Sequence, residues 1–214
     1  MCIIVVKKAG IAAPSDEMFE NMWNHNPDGT GFMYTANGGV CIEKGFMEYK
    51  DFYKAYKRVE GKIDTVQTPM IFHFRITTHG GTSPENTHPF PVTDNLSMLR
   101  KLMCKTSLGV AHNGILSVQP RSGISDTMEY ILTQLSTMSE TDRQTVCQKL
   151  DVILQEGTAE QQSLYLDAVQ TMAWCSHSFD GAQWEAYDYF LEHSARSSQA
   201  AYRAQAVMDA LTGG

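Results

Sequence analysis

The residues best suited to chemistry begin at the second position, where MCIIVV places a cysteine directly after the initiator methionine. If Met1 is removed, Cys2 carries a thiol and a free α-amine of pKa about 8 on one residue. The amine can then accept the thiol proton, as in enzymes whose first residue is both nucleophile and base. Taken alone, a cysteine in an apolar strand is more often a buried core residue. The other polar segments must therefore decide between these interpretations.

Three further segments place polar residues beside apolar stretches: FRITTHGG (74–81), AHNGI (111–115) and SDT (125–127). The guanidinium of Arg75 suits a carboxylate, and the Asp126 carboxylate suits an ammonium group. The Asn113 amide and the Gly114 backbone N–H can together stabilise a developing oxyanion, because glycine lets the backbone approach closely. A free amino acid carries both a carboxylate and an ammonium group. The set therefore favours attack on an amide in the side chain of an amino acid.

Each of these residues also has a structural interpretation. Asn113-Gly114 alone is typical of a hairpin turn, and Arg75 alone of a surface ion pair. Asp126 is a plausible helix N-cap, with Glu129 completing a capping box. Four histidines suggest a metal, but their spacing matches no compact site, so we predict neither metal nor cofactor. They are His73, His79, His88 and His112.

Composition narrows the class of protein. The chain has 214 residues and a formal net charge of −7, which disfavours nucleic-acid binding because phosphate contacts need clustered Lys and Arg. No apolar run approaches the roughly 18 residues of a membrane span, and we expect no membrane association. The five cysteines form no CxxC pair, which favours reduced thiols and a cytoplasmic location.

Periodicity predicts a mixed α+β protein with layered sheets. We predict strands at 2–6, 69–74 and 107–112, a hairpin at 31–45 turning at ANGG, and strands near 163–167 and 171–179. Helices are predicted from Ser15 to about Trp23, from Glu48 to about Val59, from Asp126 through Leu135, at about 140–155 and at 191–214. Residues 75–95 are predicted to be a long functional loop.

The segments taken together resemble the class II glutamine amidotransferase domain of the Ntn-hydrolase superfamily. In that family a cysteine follows the initiator methionine, and R-x-x-T-H-G, H-N-G and S-D-T recur in this order. NPDGTGFMY (26–34) and THPF (87–90) are similar to two further family segments. The resemblance covers about residues 2–135 and is closest to small stand-alone members found in bacteria and their viruses.

The resemblance implies an α+β, four-layer αββα sandwich of two antiparallel sheets between helical layers. It implies hydrolysis of glutamine to glutamate and ammonia, with Cys2 as nucleophile and Asn113 and Gly114 as oxyanion hole. Arg75, Thr78, His79 and Asp126 would bind the substrate. We expect this domain over 2–190, a helix at 191–214 that either belongs to it or follows it, and a synthetase or ligase partner that receives the ammonia.

The chain also departs from the family. Better-studied members have Trp after the arginine, where this chain has Ile76, and they are fused to a synthase. These departures leave the ammonia acceptor open. Two alternatives remain: an Ntn hydrolase acting on another amide, such as a γ-glutamyl or acyl compound, or a non-catalytic regulatory module of the same fold.

Overall fold

Strands that are mostly apolar build two antiparallel sheets in the computed structural model of the chain. The structure describes residues 2–77, 81–113, 116, 118–137 and, for the backbone alone, 172–176. The described residues form eight strands, which are β1 (Ile3–Lys7), β2 (Thr30–Ala36), β3 (Gly39–Phe46), β4 (Met70–Phe74), β5 (Phe90–Pro91), β6 (Met103–Thr106), β7 (Leu108–His112) and β8 (Met172–Ser176). The first sheet has the order β1-β4-β2-β3-β6 and the second the order β5-β7-β8. The α+β class is thereby confirmed.

Four α-helices lie within the described residues. They are α1 (Asp16–His25), α2 (Tyr49–Glu60), α3 (Leu96–Leu99) and α4 (Asp126–Thr133). The predicted Ser15 cap is confirmed, because its hydroxyl accepts a hydrogen bond from the Met18 N–H at 3.2 Å. The predicted hairpin is confirmed as well: Asn37 and Gly38 both have positive φ, as a two-residue turn requires. None of the described helices is long and apolar enough to cross a membrane.

An aromatic cluster fixes α1 and α2 on one face of the five-stranded sheet. The Phe19 ring of α1 lies 4.9 Å from Phe72 of β4, 5.3 Å from Phe52 of α2 and 5.0 Å from Tyr56 of α2. All four side chains are almost completely buried. Offset and edge-on contacts of this kind add to the free energy of burial. The cluster therefore holds β4 in place just before Arg75.

The opposite face of the five-stranded sheet meets the three-stranded sheet at close range. A Cβ on Gly109 of β7 would lie only 2.6 Å from the Met33 sulfur of β2, so glycine is needed there. This interior is unusually polar. The ammonium group of Lys44 donates to the carbonyls of Glu85 and Leu99, both at 2.8 Å, and lies 3.7 Å from the Phe90 ring centroid. Burial lowers the pKa of Lys44 well below its ordinary value.

The stretch 75–95 is more ordered than the predicted loop. It contains a 3₁₀ turn at Pro84–Asn86 and the two-residue strand β5. Its anchor is Thr87, whose hydroxyl accepts from the N–H of Gly45 at 2.7 Å and donates to the Pro84 carbonyl at 2.8 Å. Gly45 has φ +86° at a bulge in β3, and its N–H turns from the strand ladder to Thr87.

Other expectations need correction or lie outside the described residues. α4 ends at Thr133, and Leu135 lies in a separate 3₁₀ turn, so the predicted continuous helix through Leu135 is wrong. The strand predicted at 171–179 is present as β8. The strand near 163–167 and the helices at 140–155 and 191–214 fall outside the described ranges. The domain boundaries at 2–190 and 191–214 stay predictions.

We expect Phe19→Ala to lower the free energy of unfolding by about 3–5 kcal/mol, because it opens a cavity against Phe72 and Phe52. Urea unfolding followed by circular dichroism measures this. Glu20→Ala, exposed on the same helix, is the matched control and should change stability by less than about 0.5 kcal/mol. Equal effects of the two substitutions would contradict the assigned role of the cluster.

Candidate active site

The β1–β4 pairing brings the nucleophile candidate and the guanidinium to one end of the sheet. Ile3 pairs with Phe74 in antiparallel register, so one further step along the two strands reaches Cys2 and Arg75. The half-buried Cys2 thiol donates to the backbone carbonyl of Ile76 at 3.5 Å. Burial is the main effect on this thiol and raises its pKa, and Asp126 adds to the rise. The Ile76 hydrogen bond and Arg75 oppose it. A thiol in this setting needs a base before it can attack.

Arg75 is held by the backbone of the turn that precedes β2. Its N–H donates to the Gly29 carbonyl at 2.9 Å, and its own carbonyl accepts from the Asp28 N–H at 3.1 Å. The side chain is only 4% exposed, and Nη1 donates to the Gly81 carbonyl at 2.9 Å. Burial lowers the pKa of Arg75, whereas Cys2, Asp28 and Asp126 act in the opposite direction. A nearly buried cation thus lies within electrostatic reach of three acidic groups.

Asp28 is a site residue that the sequence interpretation missed. The sequence places Asp28 only within the segment NPDGTGFMY (26–34), whereas in the structure its carboxylate accepts from the Thr77 N–H at 2.8 Å. It therefore ties the loop after Arg75 back to the start of β2. The Thr77 and Thr82 hydroxyls are hydrogen-bonded at 3.1 Å and join the two sides of segment 78–80. The available signal was that Asp28 is an acidic residue directly before β2. This strand pairs with β4, which ends just before Arg75.

Asp126 is the first residue of α4, and the prediction that it caps the helix is wrong. Ser125 is the N-cap, because its hydroxyl accepts from the Met128 N–H at 3.2 Å. Glu129 completes no capping box either. Its carboxylate instead accepts from the Arg121 backbone N–H at 3.1 Å and from the Arg121 guanidinium at 2.8 Å. Capping by Ser125 leaves the Asp126 side chain for other contacts.

Those contacts organise the segment after β7. One Asp126 oxygen accepts from the Leu116 N–H at 2.9 Å and the other from the Thr127 N–H at 2.8 Å. The carboxylate is 8% exposed, and each oxygen keeps a lone pair for a further donor such as an ammonium group. Because Asp126 also acts on the pKa values of Cys2 and Arg75, these three predicted site residues form one electrostatic group.

Asn113 directly follows β7 and is half-buried, and its Oδ1 atom has no hydrogen-bond partner within the described part of the chain. The carbonyl of the preceding residue, His112, accepts from His73 Nε2 at 3.1 Å, which fixes the peptide leading into Asn113. The structure thus anchors Asn113 to β4, two residues before Arg75. Thr78, His79 and Gly114 lie outside the described residues, and their assigned roles stay predictions.

Three histidines, His73, His88 and His112, are buried next to Asn113 and the start of α4. The His73 and His88 rings are 4.3 Å apart between centroids, and the Thr127 hydroxyl is hydrogen-bonded to His88 Nε2 at 3.1 Å and to His112 Nδ1 at 3.2 Å. Burial lowers the pKa of His73 to about 3 and that of His112 to about 4, and it lowers the pKa of His88 as well. No group of three metal-binding side chains among the described residues has the arrangement of a metal site.

Comparison with known proteins adds no family assignment. No protein-family model matches the chain, and no curated protein matches it closely enough to indicate a relationship. The interpretation of the site therefore depends on its residues and their contacts.

The buried histidines predict a steep loss of stability in acid. Each has a folded-state pKa below its ordinary value of about 6.5, so the unfolded chain binds its proton first. Stability is full above about pH 6.5 and falls as the pH drops toward the folded-state values. Between pH 7 and pH 5, His73 and His112 should each cost about 2 kcal/mol of unfolding free energy, and His88 acts in the same direction.

Urea unfolding across this pH range tests the histidine prediction. His73→Gln removes one titrating group and keeps a donor for the His112 carbonyl, so the drop should shrink by about 2 kcal/mol. His25→Gln changes an exposed histidine and should leave the drop unchanged. A His73→Gln protein that keeps the full pH dependence would show that His73 is not held neutral by burial.

Proposed function

We propose that the protein is a glutamine amidotransferase subunit that hydrolyses the side-chain amide of glutamine to glutamate and ammonia. One observation carries the proposal: the β1–β4 register places Cys2 beside Arg75 at one end of the sheet, and the Asp126 carboxylate of α4 acts on the pKa of both groups. This set offers a nucleophile together with a partner for each charged group of a free amino acid. The family resemblance supports the same reaction.

In the proposed mechanism, removal of Met1 frees the Cys2 amine, which takes the thiol proton directly or through a water. The thiolate attacks the glutamine side-chain carbonyl carbon and forms a tetrahedral oxyanion. The Asn113 side-chain amide and the Gly114 N–H donate to that oxyanion, each contributing about 3–4 kcal/mol. The amine returns the proton to the departing ammonia, and water then hydrolyses the γ-glutamyl thioester.

Arg75 and Asp126 would select the substrate. The guanidinium pairs with the α-carboxylate of glutamine, and the aspartate accepts from its α-ammonium group. Both protein groups are largely buried, so a substrate lacking either charge would forgo a charge-assisted hydrogen bond made away from water. This arrangement favours glutamine over amides without the free amino-acid end.

The same proposal includes the fold and a partner. The contacts of α1 and α2 on one sheet face, and of the second sheet on the other, support an Ntn-hydrolase αββα sandwich. Such a sandwich needs a helical layer beyond the second sheet. We propose that the ammonia passes to a synthetase or ligase partner, because ammonia released into water is protonated and loses its nucleophilicity.

Intact-mass measurement tests the nucleophile and the substrate together. The purified protein should lack the mass of Met1 and should gain one adduct with 6-diazo-5-oxonorleucine, a glutamine-analogue electrophile. Cys2→Ala should take no adduct and release no ammonia from glutamine, because the attacking sulfur is gone. Cys41→Ala, which changes a half-buried cysteine of β3, is the matched control and should still be labelled.

The other outcomes distinguish the alternatives. A processed protein that stays unlabelled would point to a different amide substrate. A protein that retains Met1 and takes no label would indicate a non-catalytic module, since a blocked amine cannot act as the base. Full glutaminase activity in Cys2→Ala would refute the mechanism.

Arg75→Lys should raise the KM for glutamine about tenfold or more, although the charge is unchanged. A lysine ammonium cannot provide the two parallel donors that a guanidinium offers to a carboxylate. Steady-state ammonia release measures the effect. Arg100→Lys, at an exposed position, is the matched control and should leave KM unaltered. An unaltered KM in Arg75→Lys would count against the assigned role.

A further inference from the structure

Thr127 makes a set of contacts that its place in the helix does not require. It is the second residue of α4, and Ser125 already provides the N-cap hydroxyl. The Thr127 side chain is 2% exposed and points to two histidines of other elements. Its hydroxyl is hydrogen-bonded to His88 Nε2, next to β5, and to His112 Nδ1, at the end of β7.

These contacts fix the residue before Asn113 from two sides. The His112 ring is held by the Thr127 hydroxyl, and the His112 carbonyl accepts from His73 Nε2 at 3.1 Å. That carbonyl and the Asn113 N–H belong to the same planar peptide unit. Ring and carbonyl together therefore set the direction in which the chain enters Asn113.

The chain after Asn113 is held by Asp126, the residue of α4 that precedes Thr127. The Asp126 carboxylate accepts from the Leu116 N–H at 2.9 Å. The first turn of α4 thus contacts the chain both before and after Asn113, through Thr127 and Asp126 respectively. Among the described residues the buried Asn113 Oδ1 has no hydrogen-bond partner, so the hydrogen bonds seen in this part of the chain act on the neighbours of Asn113 and not on its own amide oxygen.

We infer that Thr127 is a positioning residue, which orients Asn113 through His112 so that the Asn113 amide can donate to the oxyanion. The inference rests on the proposed function for its catalytic consequence and on the contacts alone for its structural part. Thr127 has only one hydroxyl proton, and this adds a restriction on the tautomers of the two histidines. When Thr127 donates to one neutral histidine and accepts from the other, the tautomer of His88 fixes that of His112.

Two substitutions at one position separate positioning from packing. Thr127→Val keeps the shape and removes the hydroxyl, whereas Thr127→Ser keeps the hydroxyl. Thr133→Val is the matched control, because it removes a threonine hydroxyl of α4 that donates only to the Glu129 carbonyl. We expect Thr127→Val to lower kcat about tenfold to hundredfold, less than the loss of an oxyanion donor itself. KM for glutamine should stay within about twofold, since Arg75 and Asp126 are unchanged.

Rescue by the conservative variant completes the kinetic test. Thr127→Ser should recover kcat to within about threefold of the original protein, and Thr133→Val should behave like the original protein. A Thr127→Val protein with unchanged kcat would overturn the inference. So would a rise in KM as large as the fall in kcat, because that pattern indicates damage to substrate binding.

A measurement without substrate keeps the inference separate from the proposed function. In ¹⁵N-labelled protein, the side-chain amide of Asn113, assigned with Asn113→Asp, should give one sharp pair of signals. Thr127→Val should shift, broaden or double that pair, and Thr127→Ser and Thr133→Val should not. If the original protein releases no ammonia from glutamine, the proposed function fails, and the Asn113 signals alone decide the positioning role. Unchanged Asn113 signals in Thr127→Val would overturn it in either case.

Discussion

The site depends on keeping the guanidinium of Arg75 charged while it is almost completely removed from water. Burying a cation is costly unless acceptors and opposite charges surround it. The Gly81 carbonyl provides one acceptor, and Asp28 and Asp126 provide the nearby negative charges. Each of these groups belongs to a different part of the chain. The fold must therefore hold the turn before β2, the loop after β4 and the start of α4 in fixed relation to Arg75.

The interior between the two sheets also contains buried polar groups, which need hydrogen-bond partners or must be neutral. Lys44 and the three histidines are buried there. The Lys44 ammonium donates to two backbone carbonyls, and His73 donates to the His112 carbonyl. Burial lowers the pKa of all three histidines and so keeps them neutral. Hydrogen bonds in a polar interior restrict the geometry of the groups they join. This polar layer includes His112, whose carbonyl leads into Asn113. Its contribution is orientation rather than hydrophobic stabilisation, which the aromatic cluster around Phe19 provides.

Local signals predicted much of the framework. Ser15 is a helix cap because of the three residues that follow it, and Asn37-Gly38 forms a turn because both residues tolerate positive φ. The failures concern short or long-range features. β5 and α3 have two and four residues, too few for a periodic pattern, and β6 was missed as a four-residue strand at the edge of the sheet. Asp28 and Thr127 gain their importance from partners that are distant along the chain.

The protonation states bear on which group can serve as the base in the proposed mechanism. A cysteine–histidine pair would be the conventional choice, and His112 is the histidine next to Asn113. Burial lowers the pKa of His112 to about 4, whereas it raises the pKa of the Cys2 thiol above its ordinary value. Moving the thiol proton to His112 is therefore strongly unfavourable. The α-amine of a processed Cys2 has a pKa of about 8, which is far closer to that of the thiol, and it requires no additional residue. The same burial that makes His112 a poor base makes it a well-ordered support for Asn113, so within the proposed mechanism it serves the oxyanion rather than the nucleophile.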